Sequence, residues 1–170
     1  MIHSKQKGRN NMLIGIISDT HDDLPAIKKA VELFNEKKVG YVLHAGDLIS
    51  PFTLEIFKEL RCKFSGIFGN NDGDKLLLKH KSEGHIHNQP HTLTLHGKKI
   101  IVMHEPDVID ALADSRHFDL IIYGHTHKPD VRKVNNAIIV NPGKAGKLLK
   151  GKSTVALVDL NKMAAEIVKL

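Results

Sequence analysis

The chain has 170 residues, 12 of them histidines, and a formal net charge of +6. Its 41% hydrophobic and 26% charged residues are typical of one globular domain with one sizeable core. No apolar run is long enough to cross a bilayer and no secretory leader is recognisable, so we expect neither a membrane protein nor a secreted one. The single cysteine, Cys62, cannot form an internal disulfide, which favours a cytoplasmic location.

The beginning of the chain differs from the rest, because its first residues are polar and basic without periodicity. We expect residues 1–11 to be a flexible N-terminal extension or an expression remnant, with Met12 as the natural start. Residues 12–170 contain no internal repeat and no low-complexity segment, so we expect them to form a single domain.

The first half of the domain alternates between apolar runs and helical patterns. Three continuous apolar runs predict strands that are buried on both faces, at residues 12–17, 41–43 and 63–68. Helical spacing predicts a helix over residues 25–38, with Ile27, Ala30, Val31 and Phe34 on its inner face. Another helix is predicted to begin at Ser50–Pro51. The second helix would bury Phe52, Ile56 and Leu60. This alternation predicts a parallel sheet with right-handed crossovers.

The second half is richer in strands. A short helix over residues 73–81 and a loop over 82–91 lead into it. Three hairpins are predicted, at residues 92–103, 130–140 and 154–169, with a helix over 108–115 and a buried strand over 120–123 between the first two. Two sheets packed face to face, with helices outside, would bury all these runs.

Side chains that can bind metals follow the predicted strands. They supply two carboxylates, one amide and four imidazoles, from Asp19, His21, Asp47, Asn70, His104, His125 and His127. In open α/β sheets, ligands bind at the carboxyl ends of the strands. A mixed oxygen and nitrogen set without thiolate suits first-row divalent ions better than a structural zinc, and seven donors suit two ions that share a carboxylate.

The segment Gly124-His125-Thr126-His127 is the densest part of this set. It follows the apolar run 120–123. If it is extended, the two imidazoles point to the same side, and they could serve one metal or two. Gly124 would remove bulk where the backbone crowds the site.

The order of these motifs resembles a known family. Asp-x-His, Gly-Asp, Gly-Asn-x-Asp, a strand-end His and Gly-His-x-His resemble the calcineurin-like metallophosphoesterases, and most closely the small, single-domain YfcE-like phosphodiesterase branch. The resemblance implies an α/β fold, a four-layer αββα sandwich of two mixed sheets flanked by helices. It also implies a first metal held by Asp19, His21, Asp47 and His127, and a second held by Asp47, Asn70, His104 and His125. Asp47 would bridge the two ions.

The resemblance implies a divalent-metal-dependent phosphodiesterase, in which a metal-bridging hydroxide attacks phosphorus in line and His104 helps to stabilise the phosphoryl charge. Two Mn²⁺ ions are the favoured cofactor, with Ni²⁺, Fe²⁺, Co²⁺ and Zn²⁺ as alternatives. The substrate would be a small phosphodiester, and nucleotide-derived diesters, cyclic nucleotides and glycerophosphodiesters all stay open. Pairing into a homo-oligomer stays open as well.

Two departures from the family pattern bear on the mechanism. Many members carry His after the Asn of the third motif, but this chain has Asn71. Protonation of the leaving group would then fall to water, to Asn71 as a hydrogen-bond donor, or to Asp72, which predicts a preference for aryl diesters. The strand-end His104 is followed by Glu105-Pro106 instead of the more usual Gly-His.

Other interpretations stay open for the chain and for several residues. The chain could be a non-catalytic scaffold that resembles the small retromer subunit, or a nuclease. Nucleic acid is not favoured as a partner, because eight aromatic residues offer no stacking platform. His44 is predicted to be a core residue, Asp22 a helix cap, residues 144–152 a solvated lysine-rich loop, and Asn141 and Gly143 either turn residues or part of the site. Five further histidines are predicted to be exposed: His80, His85, His87, His91 and His96.

Overall fold

The structure, a computed structural model, describes residues 12–147 and 151–170. The predicted N-terminal extension, residues 1–11, lies outside these ranges, as do residues 148–150 of the lysine-rich run. None of the helices in the described ranges is long and apolar enough to span a membrane.

The first sheet has six strands. They are β1 (Leu13–Ile17), β2 (Tyr41–His44), β3 (Lys63–Ile67), β4 (Ile86–His87), β10 (Thr154–Asp159) and β11 (Ala164–Lys169). Their order is β11-β10-β1-β2-β3-β4, in which β1 to β4 are parallel and β10 and β11 run antiparallel to their neighbours. The parallel part follows from the strand–helix alternation of the first half of the sequence.

The second sheet has five strands. They are β5 (His91–Leu95), β6 (Lys98–Val102), β7 (Leu120–Ile122), β8 (Asp130–Val134) and β9 (Ala137–Asn141). Their order is β5-β6-β7-β9-β8, with a parallel centre of β6, β7 and β9 and an antiparallel strand at each edge. Both sheets are therefore mixed.

The helices lie outside the two sheets and are short except for the first. They are α1 (Leu24–Glu36), α2 (Leu54–Phe57), α3 (Lys75–Lys81) and α4 (Ile109–Asp114), and a 3₁₀ turn over Pro51–Thr53 precedes α2. As predicted from its spacing, α1 buries Ile27, Ala30, Val31 and Phe34.

Three apolar clusters show the layers. One joins α1, α2 and α3 to the outer face of the first sheet, with Phe34 and Leu78 at its centre. The second fills the space between the sheets, where Ile16 and Leu43 meet Ile122 and others. The third joins α4 to the outer face of the second sheet. The predicted four-layer αββα sandwich is confirmed.

The prediction for the second helix is wrong at Phe52, whereas Ile56 and Leu60 are partly buried and pack against the first cluster. Phe52 is 56% exposed, whereas Thr53, Leu54 and Phe57 are buried. The reason is the 3₁₀ turn, whose three residues per turn shift the inward positions relative to an α-helix. Ser50 makes no side-chain cap there.

The predicted loop over residues 82–91 contains a strand. Ile86 and His87 form β4, which pairs in parallel with Gly66 and Ile67 of β3. Two residues are too few to show a period, so only the tertiary pairing defines this strand.

The parallel strands of both sheets end on one side of the molecule. We call this side the ligand edge, and define it by the loops that follow β1, β2, β3, β6, β7 and β9. The opposite edge carries the β5–β6, β8–β9 and β10–β11 turns. All seven predicted metal ligands lie at the ligand edge, because each follows the carboxyl end of a strand.

Candidate metal centre

Two buried carboxylates form the middle of the ligand edge. Asp19 Oδ1 lies 3.1 Å from His127 Nε2 and 3.9 Å from His21 Nε2. Asp47 Oδ2 lies 3.5 Å from His21 Nε2 and 3.4 Å from His104 Nε2. His104 Nε2 is also 4.0 Å from Asp19 Oδ1. These distances leave room for cations between the carboxylates and the imidazoles.

Asn70 and His125 complete the set. His125 Nδ1 lies 3.0 Å from Asn70 Oδ1, and the His125 and His104 rings meet edge to face with centroids 5.2 Å apart. The structure thus brings all seven predicted ligands into one group. Their individual roles as ligands stay a prediction.

The ligand atoms fall into two overlapping groups. Asp19, His21 and His127 offer atoms within 4.8 Å of one another, and so do Asp19, Asp47 and His104. Asp19 belongs to both groups, while Asp47, the predicted bridge, lies between His21 and His104. Each carboxylate therefore lies near the imidazole nitrogens of at least two histidines.

The donor atoms of this group are suited to binding cations. Within the described residues, Asp19 Oδ1, His21 Nε2 and His104 Nε2 are buried and have no hydrogen-bond partner. Leaving a buried polar atom unpaired costs about 1–3 kcal/mol, so three such atoms in one place need an explanation. Two bound divalent cations would satisfy all three, and the oxygen and nitrogen donors suit a first-row metal.

The His104 ring is oriented by the main chain. Its Nδ1 lies 2.7 Å from the Ala45 carbonyl oxygen, so Nδ1–H donates there and Nε2 faces the carboxylates. Metal-binding histidines commonly donate their second ring N–H to a carbonyl or carboxylate in this way. Gln89 Oε1 accepts from the His104 backbone N–H, a contact that the sequence did not indicate.

The charges of the site reinforce one another. Burial alone would raise the pKa of Asp47, but the nearby His104 ring and the hydrogen bonds from Asn71 hold that pKa well below its usual value. Burial would lower the pKa of His104, yet the nearby Asp47 carboxylate and the hydrogen bond to the Ala45 carbonyl raise it to about 9. The pKa of Asp19 is also lowered, against the effect of burial, by His21 and Ser18. Both carboxylates are therefore held ionised, which suits cation binding.

Backbone strain is concentrated among the predicted ligands. Five of the seven have positive φ, namely Asp19 at 53°, His21 at 43°, Asp47 at 61°, His125 at 63° and His127 at 58°. The extended conformation predicted for His125 and His127 is therefore wrong, because β7 ends at Ile122 and the two rings have different partners. Residues outside the common φ/ψ regions persist where the surroundings fix them, often at functional sites.

Asp72 joins two of the loops that carry ligands. Its Oδ2 accepts from the N–H groups of Asp47 at 3.0 Å and Gly69 at 2.7 Å, and its Oδ1 accepts from the Ile49 N–H at 2.7 Å. The side chain is 3% exposed. This geometry does not support Asp72 as the leaving-group acid and indicates that it holds the loops in place.

Asn71 lies against the predicted bridging carboxylate. Its backbone N–H donates to Asp47 Oδ1 at 2.9 Å and its Nδ2 donates to Asp47 Oδ2 at 2.7 Å. The residue is exposed. It therefore donates both hydrogen bonds to the carboxylate, and donation to the leaving group stays a prediction.

Asp22 and Asp23, although adjacent in the chain, have different structural roles. Asp23 Oδ1 accepts from the Ala26 N–H and caps α1. Asp22 instead accepts from the Ser50 N–H and hydroxyl. The prediction of Asp22 as a cap is wrong, because its side chain connects the first two ligand loops.

Asn141 holds in place the loop that carries His125 and His127. Its Nδ2 donates to the Gly124 carbonyl at 2.8 Å and to Thr126 Oγ1 at 3.0 Å, while its Oδ1 accepts from the Gly143 N–H. Asn141 is fully buried, so it supports the site and does not line it. Gly124 is required by space, because an added Cβ would lie 2.2 Å from Ser18 Oγ.

The other histidines are placed as follows. His44 is buried, accepts from the Gly46 N–H through Nδ1 and contacts Thr20 Oγ1 through Nε2, which agrees with a satisfied core residue. Among the described residues, none of the five histidines that were predicted to be exposed belongs to a group of side chains spaced to hold a metal ion. Of these, His87 and His91 stack with ring centroids 3.9 Å apart.

Two features lie away from the site. A cavity of about 570 Å³ opens beside α2 and is lined largely by apolar residues such as Phe57 and Phe64, without a cluster of carboxylates. Lys144, expected in a solvated loop, is 3% exposed and donates to the Gly146 carbonyl. The prediction is wrong at this residue because the backbone after β9 packs against β1, where the Ala145 N–H bonds to the Ser18 carbonyl.

Comparison with known proteins agrees with this geometry. Residues 12–163 match the calcineurin-like phosphoesterase superfamily domain. The chain belongs to this superfamily. It is therefore a hydrolase that acts on phosphoric ester bonds, as the motif order indicated, and the superfamily implies divalent metal ions.

Three relatives illustrate the relationship. A phosphodiesterase of Methanocaldococcus jannaschii is 35% identical over 157 residues, which cover 89% of this chain and 95% of the relative. A solved archaeal phosphodiesterase superposes with a TM-score of 0.86 at 34% identity, over 93% of this chain and 99% of that one. The phosphoesterase Yfce of E. coli shares the fold, with a TM-score of 0.67 at 19% identity over 92% and 98% of the two chains.

Proposed function

We propose that this protein is a divalent-metal-dependent phosphodiesterase of small diesters. The observation that carries the proposal is the group of buried, unpartnered donor atoms from Asp19, His21 and His104. Its similarity to archaeal phosphodiesterase at 34–35% identity, in sequence and in structure, supports the choice of diesters.

Seven residues would hold two ions. The proposed first set is Asp19, His21, Asp47 and His127, and the proposed second set is Asp47, Asn70, His104 and His125. Mn²⁺ is the ion that we propose, and Ni²⁺, Fe²⁺, Co²⁺ and Zn²⁺ suit the same donors. When bound, the ions would supply Lewis acidity to the phosphoryl group and to the attacking water.

The protein's own groups would position the substrate around this centre. His104, buried and with its Nδ1 held by the Ala45 carbonyl, would present Nε2 to the second ion and so would stabilise the charge on the phosphoryl oxygens only through that ion. Asn71 can turn its amide from Asp47 towards the leaving oxygen as a hydrogen-bond donor. It has no acidic proton to give, and Asp72 is occupied by three backbone N–H groups. The enzyme should therefore prefer leaving groups that depart as stable anions.

Metal analysis combined with a chromogenic assay tests the proposal. The protein, stripped with EDTA, should bind about two Mn²⁺ ions in calorimetry and regain hydrolysis of bis(p-nitrophenyl) phosphate. Metal binding without hydrolysis of any diester would favour the scaffold. Degradation of DNA with Mn²⁺, without activity on small diesters, would favour the nuclease.

A comparison of leaving groups tests the absence of an acid. Aryl diesters should have higher kcat values than dialkyl diesters, and this difference in kcat should be much larger than the difference in binding affinity. Equal kcat values for both classes would show that a proton donor is present after all.

We also propose that residues 12–170 act as one domain in a cytoplasmic setting. The central cluster draws on strands of both sheets and on residues such as Met12 and Ile167 from both ends of the described chain. A single cooperative unfolding transition, detected alike by tertiary and secondary structure, is the expected result.

A further inference from the structure

His104 is held in place by groups from three other segments of the chain. Its ring Nδ1 lies 2.7 Å from the Ala45 carbonyl oxygen, in the loop after β2. Its own carbonyl accepts from the Gly124 N–H, in the loop after β7, at 3.1 Å. Its backbone N–H donates to Gln89 Oε1 at 2.6 Å. The position of this buried histidine therefore depends on contacts from outside its own strand.

Gln89 differs from the other two partners, because its contact comes from a side chain. Ala45 and Gly124 contribute main-chain groups, which most residue types at those positions would offer equally. Among the described residues, Gln89 is the one side chain that hydrogen-bonds to the His104 backbone. This contact therefore depends on the identity of residue 89, and a substitution there can remove it.

A second contact sets the orientation of the Gln89 amide. Its Nε2 donates to Glu105 Oε2 at 2.5 Å, while its Oε1 accepts from the His104 N–H. An ionised carboxylate only accepts hydrogen bonds and a backbone N–H only donates them. One of the two amide orientations satisfies both partners and the other satisfies neither. Gln89 thus connects the main chain of His104 to the side chain of the next residue.

The segment that carries Gln89 is fixed at both ends. It connects β4 of the first sheet to β5 of the second. At one end the Phe68 N–H donates to the His87 carbonyl, and at the other His91 pairs with Val102 of β6. The His87 and His91 rings stack with centroids 3.9 Å apart and planes 1° from parallel. Gln89 therefore lies between two anchored residues.

His104 in turn faces the predicted bridging carboxylate. Its Nε2 lies 3.4 Å from Asp47 Oδ2 and is buried without a hydrogen-bond partner among the described residues. In the proposed ligand sets, His104 serves the second ion only. A shift of its main chain would therefore displace a donor of the second site, and would leave His21 and His127 of the first site in place.

We propose that Gln89 is a positioning residue for the second metal ion. By holding the main chain of His104, it sets the affinity for that ion and not for the first. This inference rests on the proposed function, because it uses the proposed division of ligands between two ions. Gln89 has no contact with either ion in this role, and acts through His104. Partners of this kind, which orient a metal ligand, typically contribute about 10- to 100-fold to metal affinity.

Removal of the amide tests the contact directly. Gln89→Met keeps the length of the side chain but removes both hydrogen bonds. In calorimetry, the Kd for the second Mn²⁺ should rise about 10- to 100-fold, and the Kd for the first should stay within about threefold. Asn88→Leu is the matched control, because Asn88 is the adjacent amide and is exposed, and it should leave both values unchanged. His125→Ala identifies the second site, because it should weaken the same binding step as Gln89→Met.

An exchange of amide and carboxylate separates positioning from a general loss of packing. Gln89→Glu sets two carboxylates against each other and should weaken the second ion as Gln89→Met does. Addition of Glu105→Gln restores one donor and one acceptor in the reverse order, so the double variant should bind both ions within about threefold of wild type. Glu105→Gln alone keeps an acceptor for Gln89 Nε2 and should change little.

The outcomes separate this inference from the proposed function. Two ions bound, with equal losses of affinity in Gln89→Met or with no loss, would overturn the role of Gln89 and keep the proposed function. A selective loss of the second ion, restored by the exchange, in a protein that hydrolyses no diester would overturn the proposed function and keep the inference. A lower Tm without a change in either Kd would make Gln89 a structural residue only and would overturn the inference. Binding of a single ion by the wild type would overturn both.

Discussion

The two edges of the sheets solve the problem of turning the chain in different ways. At the opposite edge, hydrogen bonds are local: Asp159 Oδ1 accepts from the N–H groups of Asn161 and Lys162, two and three residues away. At the ligand edge they are long-range: the His125 N–H donates to Asp19 Oδ2, 106 residues away. One edge is organised by turn chemistry and the other by contacts between distant loops.

Positive φ angles have a different meaning at the two edges. At the opposite edge they occur in hairpin turns, as at Asn135, or at His96 beside Gly97, where such conformations are common. At the ligand edge they occur at aspartate and histidine side chains that face one another, and at the β-branched Ile49, with φ of 82°. A β-branched residue in this region is strained, so the surrounding hydrogen bonds must hold it.

The ligand edge is therefore locally less stable than the opposite edge, but it holds its charged groups in a fixed arrangement. Three of its buried donor atoms lack hydrogen-bond partners, whereas the carboxylate of Asp159 accepts hydrogen bonds from its own turn. The expected effects of substitutions follow from this difference, and matched residues exist at or near both edges.

The largest effect is expected for the central carboxylate. Asp47→Ala should abolish diester hydrolysis and weaken Mn²⁺ binding in calorimetry by more than about 100-fold, since loss of a ligand should exceed loss of an outer partner. Asp159→Ala, a carboxylate at the opposite edge, should leave both unchanged. Wild-type hydrolysis by the Asp47 variant would refute the bridging role.

Two glycines in the loop region after β3 test the effect of packing without a change of charge. In Gly69→Ala, the added Cβ would lie 2.2 Å from Asp47 Oδ1, so we expect a loss of about 3 kcal/mol in the free energy of unfolding. In Gly73→Ala, the Cβ meets open space at an ordinary φ, and the change should stay within about 1 kcal/mol and tend to stabilise. Chemical denaturation measures both, and equal values for the two variants would contradict the packing argument.

A smaller effect is expected when the link between loops is removed. Asp72→Asn puts an amide donor against backbone N–H groups, so Mn²⁺ affinity should fall about 10- to 100-fold. Asp74→Asn is the control, because Asp74 caps α3 and Asn is an equally good cap. If Asp72→Asn lowers Tm but not Mn²⁺ affinity, its role is structural only.

The smallest effect concerns acid stability. Burial lowers the pKa of His44 to about 3, below the value of about 6.5 for an unfolded chain. The unfolded state therefore binds the proton first, so the contribution of His44 to stability is full above pH 6.5 and is lost as the pH falls towards 3. Between pH 7 and pH 5 the loss should be about 2 kcal/mol.

Variants isolate this contribution from that of the other histidines. In metal-free protein, His44→Asn should reduce the loss of unfolding free energy between pH 7 and pH 5. His96→Asn, exposed in the β5–β6 turn, should leave that loss unchanged. A pH dependence identical to that of the wild type in His44→Asn would show that the buried ring does not control acid stability.

Several elements could be predicted from the sequence because their signals are local. The strands 154–159 and 164–169 occur as expected, and α1 buries the four residues that its spacing indicated. The prediction that Phe52 is buried was wrong, because a 3₁₀ turn and an α-helix have similar sequence signals but different inward positions. β4 failed because two residues carry no period.

The candidate site was predictable to the extent that its residues follow strands. The parallel strands of each sheet place their carboxyl ends together, which brings Asp19 close to Asp47 in the first sheet. His104 follows a strand of the second sheet and reaches them only because the two sheets pack face to face. The supporting residues were not predictable: Asp72, Asn141 and Gln89 act through backbone groups of other loops. Nothing near them in the chain signals a partner that is 15 or more residues away.

By itself, the sequence determined the order of the elements and the chemistry at the strand ends, because periodicity and residue type act over a few positions. Only the tertiary structure decided which donor atoms lack partners, which loops are tied together, and that Phe52 faces solvent at the ligand edge. The physical reason is that burial, long-range hydrogen bonds and the unequal exposure of apolar side chains depend on how the layers pack. None of these is a property of a local stretch of chain.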